Sequence, residues 1–390
     1  MLHKWKKISC PFCFEQFAAS EVMFRCRNSR CAKEPDAVFD RARGGIGVNM
    51  GHVFPPQSRG NPITSMLAPM EAKCDRCSGG SEKRLCPNCH FELSHDAGLL
   101  DDHSIAVIGG RGTGKGHFIA TLIHRLENET GTQFGFSLGM LGDQTRQRYE
   151  NDYRTPLIRN KELLQPTPSA TIDASVKSPM IFRLTMHAGR SAINISFFDS
   201  AGEDMKSLDA MSSEARYICS AAGIIFLLDP LQIDAVRQKL PPARLPLRDI
   251  AGEPVYIVER LRELFERQRG LAATKKIKTP VAFVLSKVDT LFPIIDRASA
   301  LRGTGGHFGV FKLTDAESVN TEVQNYLDSW MGGGFSNRVR SGFAQYKFFG
   351  VSSLGRQPDG RGQLESVSPI RVEDPFLWLM HLLGQVKASK

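Results

Sequence analysis

No stretch of this chain is apolar for long enough to cross a membrane. Runs such as Ile224 to Leu228 and Phe376 to Leu379 fall far short of the roughly 20 residues a spanning helix needs. The basic start, Met1 to Lys7, is followed by Cys10 and Cys13 where a secretory leader would carry its apolar core, so a cytoplasmic protein is expected. Neither sign of charge dominates. The 50 Lys+Arg against 41 Asp+Glu give a net +9 and a pI near 9.1, which permits contact with nucleic acid without requiring it. Residues 1 to 90 scatter their Lys and Arg with no obvious aromatic platform, which argues against a nucleic-acid-binding adaptor. After residue 90 cysteine is almost absent: Cys219 stands alone and reads as core. What remains is ordinary globular composition, 41% hydrophobic and 23% charged over 390 residues, enough for two or more domains.

Eight of the nine cysteines lie before residue 90, in four pairs: Cys10/Cys13, Cys26/Cys31, Cys74/Cys77 and Cys86/Cys89. A C-x-x-C turn aims two thiolates at one tetrahedral centre, and two such turns complete a structural Cys₄ zinc site. A disulfide framework is disfavoured in a reducing compartment. The simplest pairing joins 10/13 with 26/31 and 74/77 with 86/89; an interleaved pairing of 10/13 with 86/89 stays open. Four thiolates suffice for each site, so His90, His95 and His103 read as surface histidines. The Gly- and Pro-rich stretch 32–73 reads as irregular, with short strands around Val38-Phe39 and His52 to Phe54. A tandem zinc-ribbon region over 1–98 is expected, followed by a second domain over 99–390.

That second part opens on Ile105 to Ile108, a short apolar strand, followed by Gly109-Gly110-Arg111-Gly112-Thr113-Gly114-Lys115-Gly116-His117 and a helix-periodic stretch with Phe118, Leu122 and Leu126. Strand, glycine-rich turn and helix are the context of a phosphate-binding loop. The glycines let successive N–H groups point inward, the helix N-terminus adds positive potential, and Lys115 reaches the β- and γ-phosphates. Gly116 stands where a hydroxyl would ligate Mg²⁺ and offers no ligand.

Downstream, Met180 to Met186 and Ile193 to Phe198 alternate as a hairpin. The second strand runs into Asp199-Ser200-Ala201-Gly202-Glu203, where Asp199 can hold Mg²⁺ through water and Gly202 can offer its N–H to a γ-phosphate. Gly223 to Asp229 and Pro280 to Leu285 read as buried parallel strands. The latter ends in Ser286-Lys287-Val288-Asp289, whose carboxylate can accept the N1 and N2 protons of guanine while Lys287 lays its stem over the base. Helices are expected over Leu141 to Tyr153, Leu208 to Cys219, Val255 to Gln268, Ala316 to Trp330 and from Asp374. A half-buried strand explains the basic and aromatic interleaving of Arg338 to Phe349, and a final strand, Gln345 to Val351, leads to Ser352-Ser353-Leu354.

In this order the motifs resemble those of Ras-like GTPases of the TRAFAC clade. Gly109 to Gly116 is similar to their P-loop, Asp199 to Gly202 to switch II, Ser286 to Asp289 to the guanine motif, and Ser352 to Leu354 to the last base-contacting loop. The resemblance implies an α/β P-loop fold, a mostly parallel sheet with helices on both faces, binding GTP or GDP with Mg²⁺. It also implies that Thr167 is the switch I ligand of Mg²⁺ beside Asp199, with Thr155 competing, and that Glu203 occupies the place of the water-orienting glutamine. Lys115, Glu203 and Thr167 are the expected catalytic set. Zinc ribbons ahead of such a domain resemble bacterial double-GTPase proteins of conflict and defence gene clusters, with protein partners. Gly116, Ser286 (where Asn or Thr is usual) and Glu203 depart from the pattern, so slow hydrolysis or a non-hydrolysing scaffold is expected.

Overall fold

The computed structural model describes residues 7–43, 45, 47–57, 69–165, 179–187, 192–199, 215–242, 245–249 and 253–389. Seven strands form the main sheet: β1 (Asp101–Gly109), β2 (Phe136–Met140), β3 (Met180–Met186), β4 (Ala192–Asp199), β5 (Gly223–Leu228), β6 (Val281–Leu285) and β7 (Tyr346–Gly350). Their order is β2-β3-β4-β1-β5-β6-β7. Strands β4, β1, β5, β6 and β7 run parallel; β2, β3 and β4 pair antiparallel.

The apolar runs follow from burial on both faces. Ile105, Val107, Ile225, Leu227, Ala282 and Val284 project to one side, with helices α1 (Lys115–Arg125) and α7 (Asp374–Leu382) packed over them. Ile108, Ile224, Phe226, Val281, Phe283 and Leu285 project to the other. That side is covered by α3 (Ala215–Ser220), α4 (Pro254–Arg269), α5 (Leu313–Met331) and α6 (Gly334–Gly342). Each fully buried side chain of this size contributes roughly 1.5–3 kcal/mol. Between β2 and β3, α2 (Gly142–Arg148) continues as a wide π-helical stretch, Tyr149–Arg159, that contains Pro156. Proline lacks the amide proton that a regular helix would use there. The expected strand across Arg338 to Phe349 is instead α6 followed by β7, because Phe335 and Val339 recur at helical spacing on the buried face.

The cysteine-rich part has its own small core: Ile8, Phe17, Val22, Phe24, Phe54, Leu93 and buried cysteines. A three-stranded antiparallel sheet crosses it, with Met23–Arg25 between Val53–Phe54 and Arg84–Leu85. Residues 38–39 are not a strand but part of the helix Ala37–Arg43, because Asp36 accepts the amide protons of Val38 and Phe39 and so starts a helix. Among the described residues this part meets both the main sheet and α3. Arg183 of β3 and Asn194 of β4 bond Asp96 at 2.5 and 3.4 Å, and the Phe14 ring lies 5.6 Å from that of Tyr217 in α3. Among the described residues no helix is long and apolar enough to cross a membrane.

Candidate functional site

The parallel strands end at one edge of the sheet, and the motifs follow those ends. Gly109 closes β1 in register with Leu227, Leu228 lies level with Leu285, and Leu285 with Gly350. A Cβ on Gly109 would stand 2.7 Å from Leu227 O, so only glycine lets the loop leave β1 this close to β5. Gly112 (φ 73°) and Gly114 (φ 89°) then take left-handed conformations. Gly114 caps α1 and accepts the Phe118 N–H at 2.8 Å. Thr113 is buried and donates its hydroxyl to Gly110 O. The Lys115 ammonium turns into the hollow of the loop, donating to Gly109 O at 2.9 Å and Gly110 O at 3.2 Å. A helix N-terminus and an ammonium thus meet beside a glycine-rich loop, donors suited to a phosphate chain. Arg111 is exposed, and Gly116 lies in the first turn of α1 with no side chain to offer Mg²⁺.

Two strands away, Ser286 is braced against β5: its amide and its hydroxyl both donate to Leu228 O, at 2.8 and 3.0 Å. A serine is therefore long enough to hold this loop. Lys287 takes a left-handed φ of 53°, and its ammonium pairs with Asp229 at 2.7 Å instead of lying free along an apolar surface. Asp289 accepts the Ser352 hydroxyl at 2.5 Å, and Ser352 in turn accepts the Gly355 amide proton at 2.8 Å. Burial raises the pKa of Asp289, and the Ser352 bond acts against that rise. Ser353 and Leu354 are half-buried beside it.

His117 lies in the first turn of α1. Burial first, and then the charge of Lys287, bring its pKa down to about 4. By strand register the phosphate-loop helix and the Ser286–Asp289 loop leave the same edge of the sheet, two strands apart. Its Nε2 accepts the Leu164 amide proton at 3.1 Å. Asp199 closes β4 level with Val107. Thr167, Gly202 and Glu203 lie outside the described residues, as does the side chain of Asp199. Thr155 belongs to the stretch Tyr149–Arg159. Sequence reasoning passed over Asp229 and Leu164. The first carried a signal, an acid at the end of a buried strand; the second acts through its backbone and carried none.

The cysteines assemble in the interleaved way. Cys10, Cys13, Cys86 and Cys89 form one group and Cys26, Cys31, Cys74 and Cys77 the other, each with its sulfurs within 4.8 Å of one another. The simplest pairing by sequence neighbourhood is thereby corrected. Strands Met23–Arg25 and Arg84–Leu85 run antiparallel, so Cys26 and Cys86 leave the sheet at opposite ends, and Ser81, at the foot of the hairpin that carries Cys74 and Cys77, donates its hydroxyl to Arg25 O and so puts that pair at the Cys26 end, away from Cys86. Sulfur separations of 3.6 Å (Cys10–Cys89, Cys26–Cys77) and 3.7 Å (Cys13–Cys86) match the edge of about 3.8 Å of a tetrahedron with Zn–S near 2.3 Å. Both groups therefore fit Zn²⁺. Three turns are built alike. Cys10, Cys74 and Cys86 each accept the amide proton of the residue four along, and those residues, Phe14, Ser78 and His90, all have φ of 54 to 63°. His90 is not a free surface side chain. It is 14% exposed and bonds Asp36 at 2.8 Å, beside the Arg25–Asp36 pair at 2.7 Å.

A further cluster, His307 with Asp315 and Asp374, is a polar clasp. Arg371 donates to both carboxylates, and the Lys312 amide proton occupies His307 Nδ1, which puts the ring's own proton on Nε2, facing the acids.

Against known proteins, the profile of the family described as Double-GTPase 2 matches residues 103–352, which contain the phosphate loop, the Ser286–Asp289 loop and Ser352. Over 401 aligned residues the chain is 27% identical to SaeC of Mycolicibacterium smegmatis, a protein named for ESX-1 scaffolding and assembly. That alignment covers 96% of this chain and 99% of SaeC. With the family profile spanning more than half of its length and the cleft built from the matched residues, this chain belongs to the Double-GTPase 2 family.

Proposed function

We propose that the protein is a guanine-nucleotide-binding switch whose bound state governs its assembly with protein partners. The observation that carries this reading is the shared sheet edge: the loop of Lys115 after β1 and Asp289, held by Ser352, after β6 leave it two strands apart. In this reading the 109–117 loop holds the phosphates, Asp289 selects guanine, and Lys287, paired with Asp229, flanks the base. Mg²⁺ is held by Asp199 and Thr167; Thr167 stands three residues beyond Leu164, the residue bonded to His117. Gly202 meets the γ-phosphate and Glu203 orients water. Hydrolysis is slow because Gly116 leaves one Mg²⁺ position to a solvent molecule.

Two Zn²⁺ ions complete the Cys₄ groups and hold a ribbon region, 1–98, ahead of the nucleotide domain, 99–390. The name of SaeC favours scaffolding of a protein assembly as the output, in preference to a defence role or nucleic-acid binding. The test is to identify the nucleotide and metals that copurify, then titrate GTP, GDP and ATP by calorimetry. Equal affinity for ATP and GTP, or an Asp289→Ala variant with unchanged guanine preference, would sink the assignment. A Gly116→Ser variant that raises Mg²⁺-dependent turnover would identify that position as the brake.

A further inference from the structure

Beyond Ser352 to Leu354, the chain that follows β7 belongs to none of the motifs. Its arms pair with each other: Ser352 and Ile370 exchange backbone hydrogen bonds at 3.0 and 2.8 Å, and Ser368 N donates to Leu354 O at 3.0 Å. At the tip, Asp359 accepts the amide protons of Arg361 and Gln363 and closes a turn. The tip then pairs with chain some two hundred residues earlier. Leu163 N donates to Gly362 O at 3.3 Å, Leu364 N to Lys161 O at 2.9 Å, and Lys161 Nζ to Glu365 O at 2.9 Å. Burial supports the pairing, since Leu163, Leu164, Leu354, Leu364 and Val367 pack into the same core as α1.

One residue beyond this pairing stands Leu164, whose amide proton goes to His117 Nε2 at 3.1 Å. With its lone pair used there, the neutral ring carries its proton on Nδ1. The foot of the paired arms is Ser352, the residue that fixes the Asp289 carboxylate. A continuous bracket thus runs from the first turn of α1, through 161–165 and 352–370, to the carboxylate at the far end of the cleft.

We propose that His117 is a positioning residue that joins the base end of the cleft to its phosphate end through this bracket. The proposal rests on the guanine-nucleotide reading. A nucleotide spans both ends, so slack between them must be removed each time it binds, and a bracket that removes it beforehand slows dissociation.

The experiment measures release of a fluorescent GDP from the full chain. His117→Phe keeps a ring but loses the acceptor, and release is expected to quicken about tenfold; His117→Gln restores an acceptor and should lie within about threefold of the wild type. Ser352→Ala should also quicken release. Since both act through one bracket, the double variant should fall well short of the product of the two single effects. Unchanged release in His117→Phe, no rescue by Gln, or full multiplication in the double variant overturns the proposal. Should His117→Phe fail to fold, the ring nitrogens of the wild type decide by NMR: Nδ1–H with Nε2 accepting supports the bracket, and Nε2–H overturns it. A wild-type chain that binds no guanine nucleotide overturns the reading of the cleft itself, and that result comes before any variant is made.

Discussion

The two halves of this molecule are held together by different physics. Around the main sheet, aliphatic and aromatic side chains fill both faces, and strands such as Gly223–Leu228 are buried along their whole length. Around the cysteines the core is small, and much of it is sulfur. Zn²⁺ on its two Cys₄ groups would add binding free energy to that small core. The contrast extends to polar groups. At the cleft they are held in reserve, with Lys115 on loop carbonyls and Asp289 on a serine, groups that a ligand can compete for. In the cysteine-rich part they are spent on structure, as in Arg25–Asp36–His90.

Several measurements would break or sharpen that contrast. The largest effect is expected from the metal. Cys86→Ser should reduce bound zinc from two equivalents to one by elemental analysis and remove most of a binding free energy on the order of 10 kcal/mol, while GDP binding persists. Loss of GDP binding would show that the halves are not separable. Next, Phe226→Ala, in the centre of the sheet's core, should cost about 3–5 kcal/mol in denaturant unfolding without releasing zinc. At the cleft, Lys115→Ala should weaken GDP binding by about a hundredfold, close to 3 kcal/mol, a larger effect than the loss of its two bonds to the Gly109 and Gly110 carbonyls has on unfolding of the free protein. Asp289→Ala should leave stability intact and bring GDP and ADP affinities to within about tenfold of each other.

The smallest effect concerns pH. The folded protein holds His117 at a pKa of about 4, below its ordinary value of 6.5, so the unfolded chain binds the proton more readily between these values. The stability that His117 contributes is therefore present above pH 6.5 and lost as pH falls towards 4. His117→Gln should flatten the fall in melting temperature across that interval. An unchanged slope would mean that other groups carry it.

Much of the site was legible because its parts are local. A glycine-rich turn between strand and helix, or a C-x-x-C turn, is dictated by residues within a few positions of one another, and the structure has such turns after Gly109 and at Cys10, Cys74 and Cys86. The helix after Asp36 was missed because the strand preference of the adjacent Val38 and Phe39 was overridden by a capping carboxylate that also serves Arg25 and His90. The strand expected over Arg338 to Phe349 was divided because one half packs on a helical period and the other on a period of two.

By itself, then, the order of amino acids determined which groups are present: four thiol pairs, a glycine-rich loop ending in Lys115 with no hydroxyl after it, and a carboxylate, Asp289, just past a buried strand. Tertiary structure alone decided who meets whom. It sent Cys10/Cys13 to Cys86/Cys89, gave Lys287 its Asp229, and brought Leu164 to His117. These partners are set by strand direction and chain crossings, and the spacing of neighbouring residues does not encode those.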